Sequence, residues 1–444
     1  MSSTLQVQLP LATPLFKPRA RAAASGSASL SYALLLLFLL QLYSSIAVLY
    51  PALEAVRPAL TIGGLALAAL LLERVWFSRG FVLVRPDSFF LVAFACAAAL
   101  SAFGAFWPGL AARSTADFLK ILILYFVVLN CVDSEKRLRG VVWTMVLAGL
   151  FPALGGLRFF QNGNTVEGRL HWVGTFGNPN ELAHSLVILF PLAVVLASEL
   201  KLSRRLLVWG LPALYAGVVY LTFSRGALLG LFAALGLMAL LHRRSSARLV
   251  TAGLLAAGIL AVVFYWTRGE GFSGLGQDAS FQQRITTFQT ALAMFVHHPL
   301  FGVGLTCSPV AWPFYAPANL PYRTWLIIHN TFLQALSETG LVGFLSLSLF
   351  FTWTLHRAWK TARLAAAAGQ EKFSNLVRGL LASFFGFFVC AMSGGFVLAW
   401  FPYILAGLIG AASRIQPHAG ASAAQPAPAA TVRFQWNGAR SPAE

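Results

Sequence analysis

The chain has 444 residues, of which 58% are hydrophobic and only 10% are charged, and its formal net charge at pH 7 is +18. That charged fraction is less than half of the roughly 25% typical of soluble domains, which excludes a soluble globular enzyme. The four cysteines include no closely spaced pair, so neither a disulfide framework nor a zinc site is expected.

In chain order, residues 1–28 are predicted to be a disordered cytoplasmic N-terminus because they are polar, basic and rich in Pro, Ala and Ser. Residues 29–266 and 340–413 contain repeated apolar runs of about 20 residues, the length that crosses a bilayer as a helix. Residues 267–339 form the longest polar interruption and are predicted to be a large helical periplasmic loop that carries the catalytic site. Residues 414–444 are predicted to be a disordered cytoplasmic tail.

The predicted fold class is therefore all-α, a polytopic membrane protein with about twelve transmembrane helices. Nine of these precede the large loop and three follow it. The spans are predicted at residues 30–50, 58–77, 88–108, 117–132, 138–157, 181–199, 205–222, 226–242, 249–266, 340–358, 376–393 and 396–413.

The distribution of positive charge predicts the orientation. With both termini in the cytoplasm, most of the 32 lysines and arginines fall in cytoplasmic segments, as the positive-inside rule requires. The high net charge is thus a topology signal, and no nucleic-acid partner is expected. The basic residues predicted on the outer side are all arginines, whose planar fork suits phosphate: Arg57, Arg113, Arg158, Arg169, Arg225, Arg268, Arg284 and Arg323.

The stretch GTFGNPNEL, residues 174–182, lies on the outer side before the sixth predicted span. Asn178 or Asn180 can cap the helix that follows, and its free N–H groups suit an anion or a sugar hydroxyl. Glu181 is a carboxylate at the start of an apolar helix, where polar residues are often functional. An ordinary capped helix is the alternative interpretation.

Arg225 lies in TFSRGA, where two predicted spans meet with almost no loop. It begins a helix, where the helix dipole disfavours a cation, so an anionic partner is expected. Snorkelling to lipid headgroups is the alternative. Arg284 is the only cation on a predicted amphipathic helix whose apolar face is Phe281, Ile285, Phe288, Leu292 and Phe295.

His329 stands where another apolar helix begins, close to Arg323, Asn330 and Glu338. An imidazole with a pKa near 6.5 is the natural proton acceptor at neutral pH. We expect no metal or other cofactor, because carboxylates are few and no metal-binding motif is present, so arginines would have to neutralise a pyrophosphate.

At these residues the chain resembles the O-antigen ligase and polymerase superfamily. The resemblance rests on Arg284 with its helix and on four motifs in family order: GTFGNPNELA (174–183), TFSRGA (222–227), HPLFGVGL (298–305) and HNTFLQALSETGL (329–341). It implies an inverting, metal-independent glycosyltransferase of the integral-membrane, GT-C-like class in the bacterial inner membrane, with an active site that faces the periplasm.

The resemblance further implies a donor glycan on undecaprenyl pyrophosphate, held by Arg225 and Arg284, and a catalytic His329 that activates a hydroxyl of lipid A-core. Asn178, Asn180, Glu181, Arg323, Asn330 and Glu338 are candidate substrate contacts. Membrane lipids are the other expected partners. An O-antigen or exopolysaccharide polymerase and a protein O-oligosaccharyltransferase are the near alternatives. A lipid or anion transporter is a distant one, suggested by Asp117 and Lys120 within a span.

Overall fold

The computed structural model describes residues 29–78, 80–241, 279–317 and 326–415. These residues form fifteen α-helices and no named strand, so the protein is an all-α polytopic membrane protein, as predicted. Residues 1–28 and 416–444 of the predicted tails, the predicted span 249–266, Arg268 and Arg323 lie outside the described residues, whereas residues 414 and 415 of the predicted tail end the last helix.

The first nine helices are α1 (Leu30–Ser44), α2 (Pro51–Ala55), α3 (Pro58–Trp76), α4 (Asp87–Ser101), α5 (Pro108–Cys131), α6 (Glu135–Ala148), α7 (Leu150–Gln161), α8 (Pro179–Ser198) and α9 (Leu202–Leu221). The next six are α10 (Arg225–Leu241), α11 (Ala279–His297), α12 (Ser308–Tyr315), α13 (Thr331–Ala367), α14 (Glu371–Ala391) and α15 (Phe401–Ile415).

Seven helical segments in the described ranges are long and apolar enough to cross a membrane. They are Pro58–Trp76, Asp87–Gly104, Pro108–Cys131, Glu135–Gln161, Pro179–Ser198, Thr331–Ala367 and Glu371–Ala391. Three shorter apolar helices, Leu30–Ser44, Arg225–Leu241 and Phe401–Ile415, coincide with further predicted spans.

Several helix ends differ from the predicted spans. Helix α1 stops at Ser44, because Ser45 adopts a left-handed backbone conformation with φ of 50°. Helix α13 starts at Thr331, inside the predicted loop 267–339, and its helical geometry is interrupted only at Gly340. Hydropathy alone does not detect these boundaries, since they depend on backbone conformation and capping rather than on apolar content.

Helix α8 lies at the centre of the bundle, with 78% of its apolar window buried, whereas α3 at the periphery has 17% buried. Helices α9, α10 and α14 surround α8. The contact between α10 and α14 is close because small residues line it: a Cβ at Gly230 would lie 2.3 Å from the sulfur of Cys390. Small residues at such contacts let membrane helices approach each other closely.

Helix α11 has its apolar spacing as predicted, but much of that stripe faces outward. Ile285, Phe288, Leu292 and Val296 are between 37% and 71% exposed, while Ala291 and Met294 are buried. An exposed apolar stripe on an amphipathic helix is typical of a helix that lies in the membrane interface.

Candidate active site

Arg284 and His329 line the same cavity. This cavity has a volume of about 130 Å³, and Thr287, Phe288, Asn330 and Met392 are among its other lining residues. Arg284 comes from the second turn of α11, and His329 comes from the segment before α13. The structure therefore brings together two of the predicted site residues that lie far apart in the sequence.

The environment of His329 favours its neutral form. Burial lowers the pKa of His329, and the positive charge of Arg284 lowers that pKa further. A neutral imidazole has a nitrogen lone pair that accepts a proton. His329 thus has the protonation state that a general base needs at neutral pH.

The start of α13 fixes the position of His329. The side chain of Asn330 caps this helix and accepts hydrogen bonds from the N–H groups of Phe332 (2.9 Å) and Leu333 (3.0 Å). The same side chain donates through Nδ2 to the carbonyl of Met392 at 3.1 Å. Asn330 therefore holds the helix start next to the loop that follows α14.

Three side chains donate hydrogen bonds to successive backbone carbonyls of that loop, which comprises residues 392–396. Asn330 donates to Met392, Arg284 Nη1 donates to Ser393 at 3.0 Å, and the Thr331 hydroxyl donates to Gly394 at 2.7 Å. Thr331 also accepts a hydrogen bond from the N–H of Phe396 at 3.0 Å. The loop thus orients Arg284 relative to His329.

Sequence reasoning missed this loop. The predicted spans 376–393 and 396–413 leave almost nothing between them, and the acceptors are backbone carbonyls that have no signature in the sequence. The only available signal was Ser393-Gly-Gly395 after a long apolar run, a combination that marks a turn.

The start of α10 lies against the same loop. A Cβ at Gly226 would lie 1.7 Å from the hydroxyl oxygen of Ser393, so only glycine fits there. Because Ser393 also accepts the hydrogen bond from Arg284, the half-buried Arg225 begins its helix one residue from a point of contact with the Arg284 loop. Arg284 thus contacts Ser393 directly, and Arg225 is the residue next to Gly226, which packs against Ser393.

Asn178 and Asn180 have structural partners. The Asn178 side chain caps α8 by accepting from the N–H of Asn180 at 2.9 Å. The Asn180 side chain accepts from Arg169 Nη2 at 2.6 Å, and Arg169 Nε donates to the carbonyl of Thr222 at 2.7 Å. This chain of contacts ties the segment before α8 to the turn before Arg225. Glu181 follows in the first turn of α8 and is half-buried.

Glu338 is buried and hydrogen-bonded. Its carboxylate accepts from the N–H of Thr306 (2.8 Å), the hydroxyl of Ser308 (2.5 Å) and the amide of Gln334 (3.1 Å). The side chain is 1% exposed. These contacts account for a carboxylate at this position without a ligand, since they join α13 to the segment that precedes α12.

Two glycines allow that segment to approach α13. Gly302 and Gly340 have φ values of 68° and 66°, and a Cβ at Gly340 would lie 2.2 Å from the carbonyl oxygen of Leu300. The N–H of Val303 donates to the carbonyl of Ser337, and the N–H of Gly304 donates to that of Glu338. The motifs HPLFGVGL and HNTFLQALSETGL are thus two halves of one packing contact.

Within the described ranges, no group of three or more His, Cys, Asp or Glu side chains could hold a metal ion. Arg284 is the arginine that lines the cavity, and Arg225 begins α10 beside the loop 392–396. A guanidinium group is suited to bind phosphate oxygens in pairs.

Part of the chain matches a known protein family. Residues 210–348 match the family described as O-Antigen ligase. The match covers 139 of the 444 residues and supports a relationship to the superfamily of O-antigen ligases and polymerases over that stretch. Members of that superfamily are glycosyltransferase-like enzymes, either ligases or polymerases. The matched stretch contains Arg225, Arg284, His329 and Glu338, whereas the loop 392–396 lies beyond it.

The chain is also similar to the exopolysaccharide production protein ExoQ of Rhizobium meliloti (strain 1021). The two sequences are 25% identical over 277 residues, which cover 58% of this chain and 62% of ExoQ. The chain thus matches less than two thirds of the length of this relative.

Proposed function

We propose that the chain is an O-antigen ligase of the bacterial inner membrane. It transfers a glycan from undecaprenyl pyrophosphate to a hydroxyl group of lipid A-core at the periplasmic face. The observation that carries this proposal is the cavity shared by Arg284 and His329, because it places a neutral imidazole next to a guanidinium group.

The chemistry follows from these two groups. The acceptor hydroxyl attacks the anomeric carbon of the donor sugar, and its proton passes to the imidazole of His329. The bond between that carbon and the pyrophosphate oxygen breaks, so undecaprenyl pyrophosphate leaves with the electron pair. Arg284 and Arg225 stabilise the negative charge that develops on the leaving group. Attack opposite to the leaving group inverts the anomeric configuration.

The surroundings of the cavity support a lipid-linked donor. A volume of about 130 Å³ is below the roughly 300–1,000 Å³ of pockets that enclose a whole small ligand. Only the reacting groups fit inside, so the glycan and the lipid chain remain outside. Phe288 lines the cavity and also belongs to the exposed apolar stripe of α11, which gives a lipid chain a path along the membrane interface.

A second candidate is a polymerase, which would transfer the growing glycan to another lipid-linked repeat unit. The similarity to an exopolysaccharide production protein favours it. The two candidates share the donor and the proposed roles of Arg225, Arg284 and His329. They differ in the acceptor alone. A protein O-oligosaccharyltransferase differs from both in the same respect.

The test is a transfer assay with purified protein in detergent and with EDTA present. Donor glycan on undecaprenyl pyrophosphate is mixed with lipid A-core, and products are separated by size. We expect wild-type transfer to lipid A-core and a loss of about 10²–10⁴-fold in His329→Gln, the range that general-base catalysis contributes. Arg284→Lys keeps a charge but loses the paired phosphate contact, so a smaller loss is expected.

Matched controls exist on the same predicted side of the membrane. His297→Gln and Arg158→Lys change exposed residues that do not line the cavity, and both should retain wild-type rates. Elongation of the donor without transfer to lipid A-core would replace the ligase with the polymerase. Transfer that stops in EDTA would contradict the proposed roles of the arginines.

A further inference from the structure

A second and larger cavity lies between α1, α3 and α5. Its volume is about 510 Å³, within the roughly 300–1,000 Å³ typical of ligand pockets. It shares no lining residue with the active-site cavity, so an inference about it is independent of the proposed function. We call it the α3–α5 groove.

The two walls of this groove are apolar helix faces. Helix α3 contributes Leu60, Gly64 and Leu67, and α5 contributes Ile123 and Val127. These residues recur at intervals of three and four, which places each set on one face of its helix. The groove is open where α3 carries glycine, because a Cβ at Gly64 would meet no atom within 4 Å.

Helices α3 and α5 run in the same direction. Near their C-terminal ends, Arg74 Nη2 donates to the carbonyl of Asn130 at 2.6 Å, which joins these two ends. The N-terminal ends of both helices therefore lie at the other end of the groove. Two cations line the groove: Arg57, directly before the start of α3, and Lys120, near the middle of α5.

The dimensions match one lipid chain and a headgroup. Arg57 and Leu67 are separated by about 15 Å along the helix axis, at 1.5 Å per residue. The contact between Arg74 and Asn130 is a common reference point for the two helices. Arg57 lies 17 residues before Arg74, and Lys120 lies 10 residues before Asn130, so Arg57 is about 10 Å farther from this contact than Lys120. A lysine in this position can extend its side chain towards Arg57 along the apolar wall.

Lys120 is exposed in the middle of a helix that can span the membrane. Its ammonium group lies 2.6 Å from the carboxylate of Asp117, and the two side chains are 64% and 48% exposed. A charged group that faces hydrocarbon raises the free energy of the folded protein, so we expect a polar group of a ligand to lie next to this ion pair. The residues that line the groove include two cations, Arg57 and Lys120, and no carboxylate, so the lining itself is positively charged.

We infer that the α3–α5 groove binds one diacyl lipid with an anionic phosphate headgroup. One acyl chain lies along Leu60, Gly64 and Ile123, and the phosphate lies at the end marked by Arg57 and Lys120. The lipid covers a face of α3 that the bundle leaves exposed, since only 17% of the apolar window of this helix is buried.

The test measures lipid binding by native mass spectrometry. The purified, delipidated full-length protein is titrated with phosphatidylglycerol or phosphatidylcholine. We expect one bound phosphatidylglycerol, with a preference over phosphatidylcholine of roughly tenfold that is lost in Arg57→Gln/Lys120→Gln. Leu60→Trp should abolish binding of the lipid, because the larger side chain fills the groove.

Leu65→Trp is the matched control. Leu60 and Leu65 lie on the same helix and are 57% and 58% exposed, but only Leu60 lines the groove. Leu65→Trp should bind phosphatidylglycerol as the wild type does. Gly64→Leu fills the groove from another position and should also abolish binding, should Leu60→Trp fail to fold.

Three results would overturn the inference. The first is equal binding of phosphatidylglycerol by Leu60→Trp and Leu65→Trp. The second is retention of undecaprenyl phosphate but no phosphatidylglycerol, which would assign the groove to the polyprenyl chain. The third is a dimer that Leu60→Trp dissociates and that binds no lipid, which would assign the groove to a second copy of the chain.

Discussion

At the scale of single residues, His329 and Arg284 influence each other through the cavity that they share. Burial lowers the pKa of His329, and so does the positive charge of Arg284. A lowered pKa keeps the imidazole neutral, and able to accept a proton, at pH values below the usual 6.5. The cavity thus extends the pH range in which the proposed base is available.

We therefore predict that the acidic limb of the kcat/KM profile of the wild type lies below pH 6.5. In Arg284→Gln the residual activity should show this limb at a higher pH, because removing a positive charge makes His329 easier to protonate. A pH series of transfer rates for both proteins checks this. Arg158→Gln, which changes an exposed arginine away from the cavity, should leave the limb in place. If the apparent pKa on the acidic side of the profile were unchanged in Arg284→Gln, the titration of His329 would not determine it.

Glu338 illustrates a residue whose contacts point to a positioning role. One carboxylate oxygen accepts from two N–H donors, of Thr306 and Gln334, and the other accepts from the Ser308 hydroxyl. A glutamine reproduces part of this pattern: its carbonyl replaces the first oxygen and its amide can donate to a rotated Ser308 hydroxyl, but that amide cannot accept from the backbone N–H of Ser308. An alanine leaves these N–H donors buried without an acceptor.

We predict that the free energy of unfolding falls by about 1–3 kcal/mol in Glu338→Gln and by more in Glu338→Ala, since each unsatisfied buried donor costs about 1–3 kcal/mol. Unfolding in detergent, followed by circular dichroism, measures the difference. The KM for the acceptor should be unchanged in Glu338→Gln. A large rise in that KM at unchanged stability would instead assign Glu338 to substrate contact.

At the scale of helices and loops, the contact between α10 and the loop 392–396 determines where Arg225 and Arg284 lie. The hydroxyl of Ser393 occupies the space that a side chain at Gly226 would need. The carbonyl of Ser393 meanwhile accepts from Arg284. One residue thus positions both arginine-bearing helices.

We predict that Gly226→Ala lowers both stability and transfer activity, because its Cβ would lie 1.7 Å from Ser393 Oγ and 2.7 Å from Ser393 Cβ. Ser393→Gly removes both atoms and keeps the carbonyl that binds Arg284, so Gly226→Ala/Ser393→Gly should recover part of the loss. A double-mutant cycle on transfer rate and on unfolding temperature measures this coupling. Strictly additive effects would show that the two positions do not meet in the working enzyme.

The elements that the sequence predicted well are those with a periodic pattern. The spacing of Ile285, Phe288 and Leu292 predicted α11, and continuous apolar runs predicted the spans that the structure describes as helices. Arg225 was notable in the sequence because its position at a helix start disfavours a cation. These signals are local, so a single sequence contains them.

Long-range contacts could not be predicted in this way. The pairing of Arg284 with His329 depends on how α11 packs on α13, and only the family resemblance suggested it. The loop 392–396 contributes backbone carbonyls, which every residue possesses. The groove beside Lys120 depends on the parallel arrangement of α3 and α5, so the sequence revealed its ion pair but not the space around it.

At the scale of the whole molecule, the orientation in the membrane decides on which side the transfer occurs. Gly226 at the start of α10 and Arg284 on α11 both contact Ser393, so the start of α10 and the start of α11 lie on the same side. The end of α10 is about 25 Å away along its axis. The predicted span at 249–266 lies outside the described residues and stays a prediction from hydropathy.

Single cysteines on exposed residues test this topology. We predict that Asn162→Cys reacts with a membrane-impermeant maleimide in spheroplasts, because arginine and lysine asymmetry places this turn outside. Ser203→Cys, one spanning helix later, and Ala368→Cys, between α13 and α14, should react only after the membrane is opened. Cys96 is exposed and is replaced by alanine in the background. If Ala368→Cys instead reacted in spheroplasts together with Asn162→Cys, the number of crossings between Ser203 and Ala368 would be odd. That result would contradict the predicted set of spans between these two residues and place the tail of the chain on the outer side.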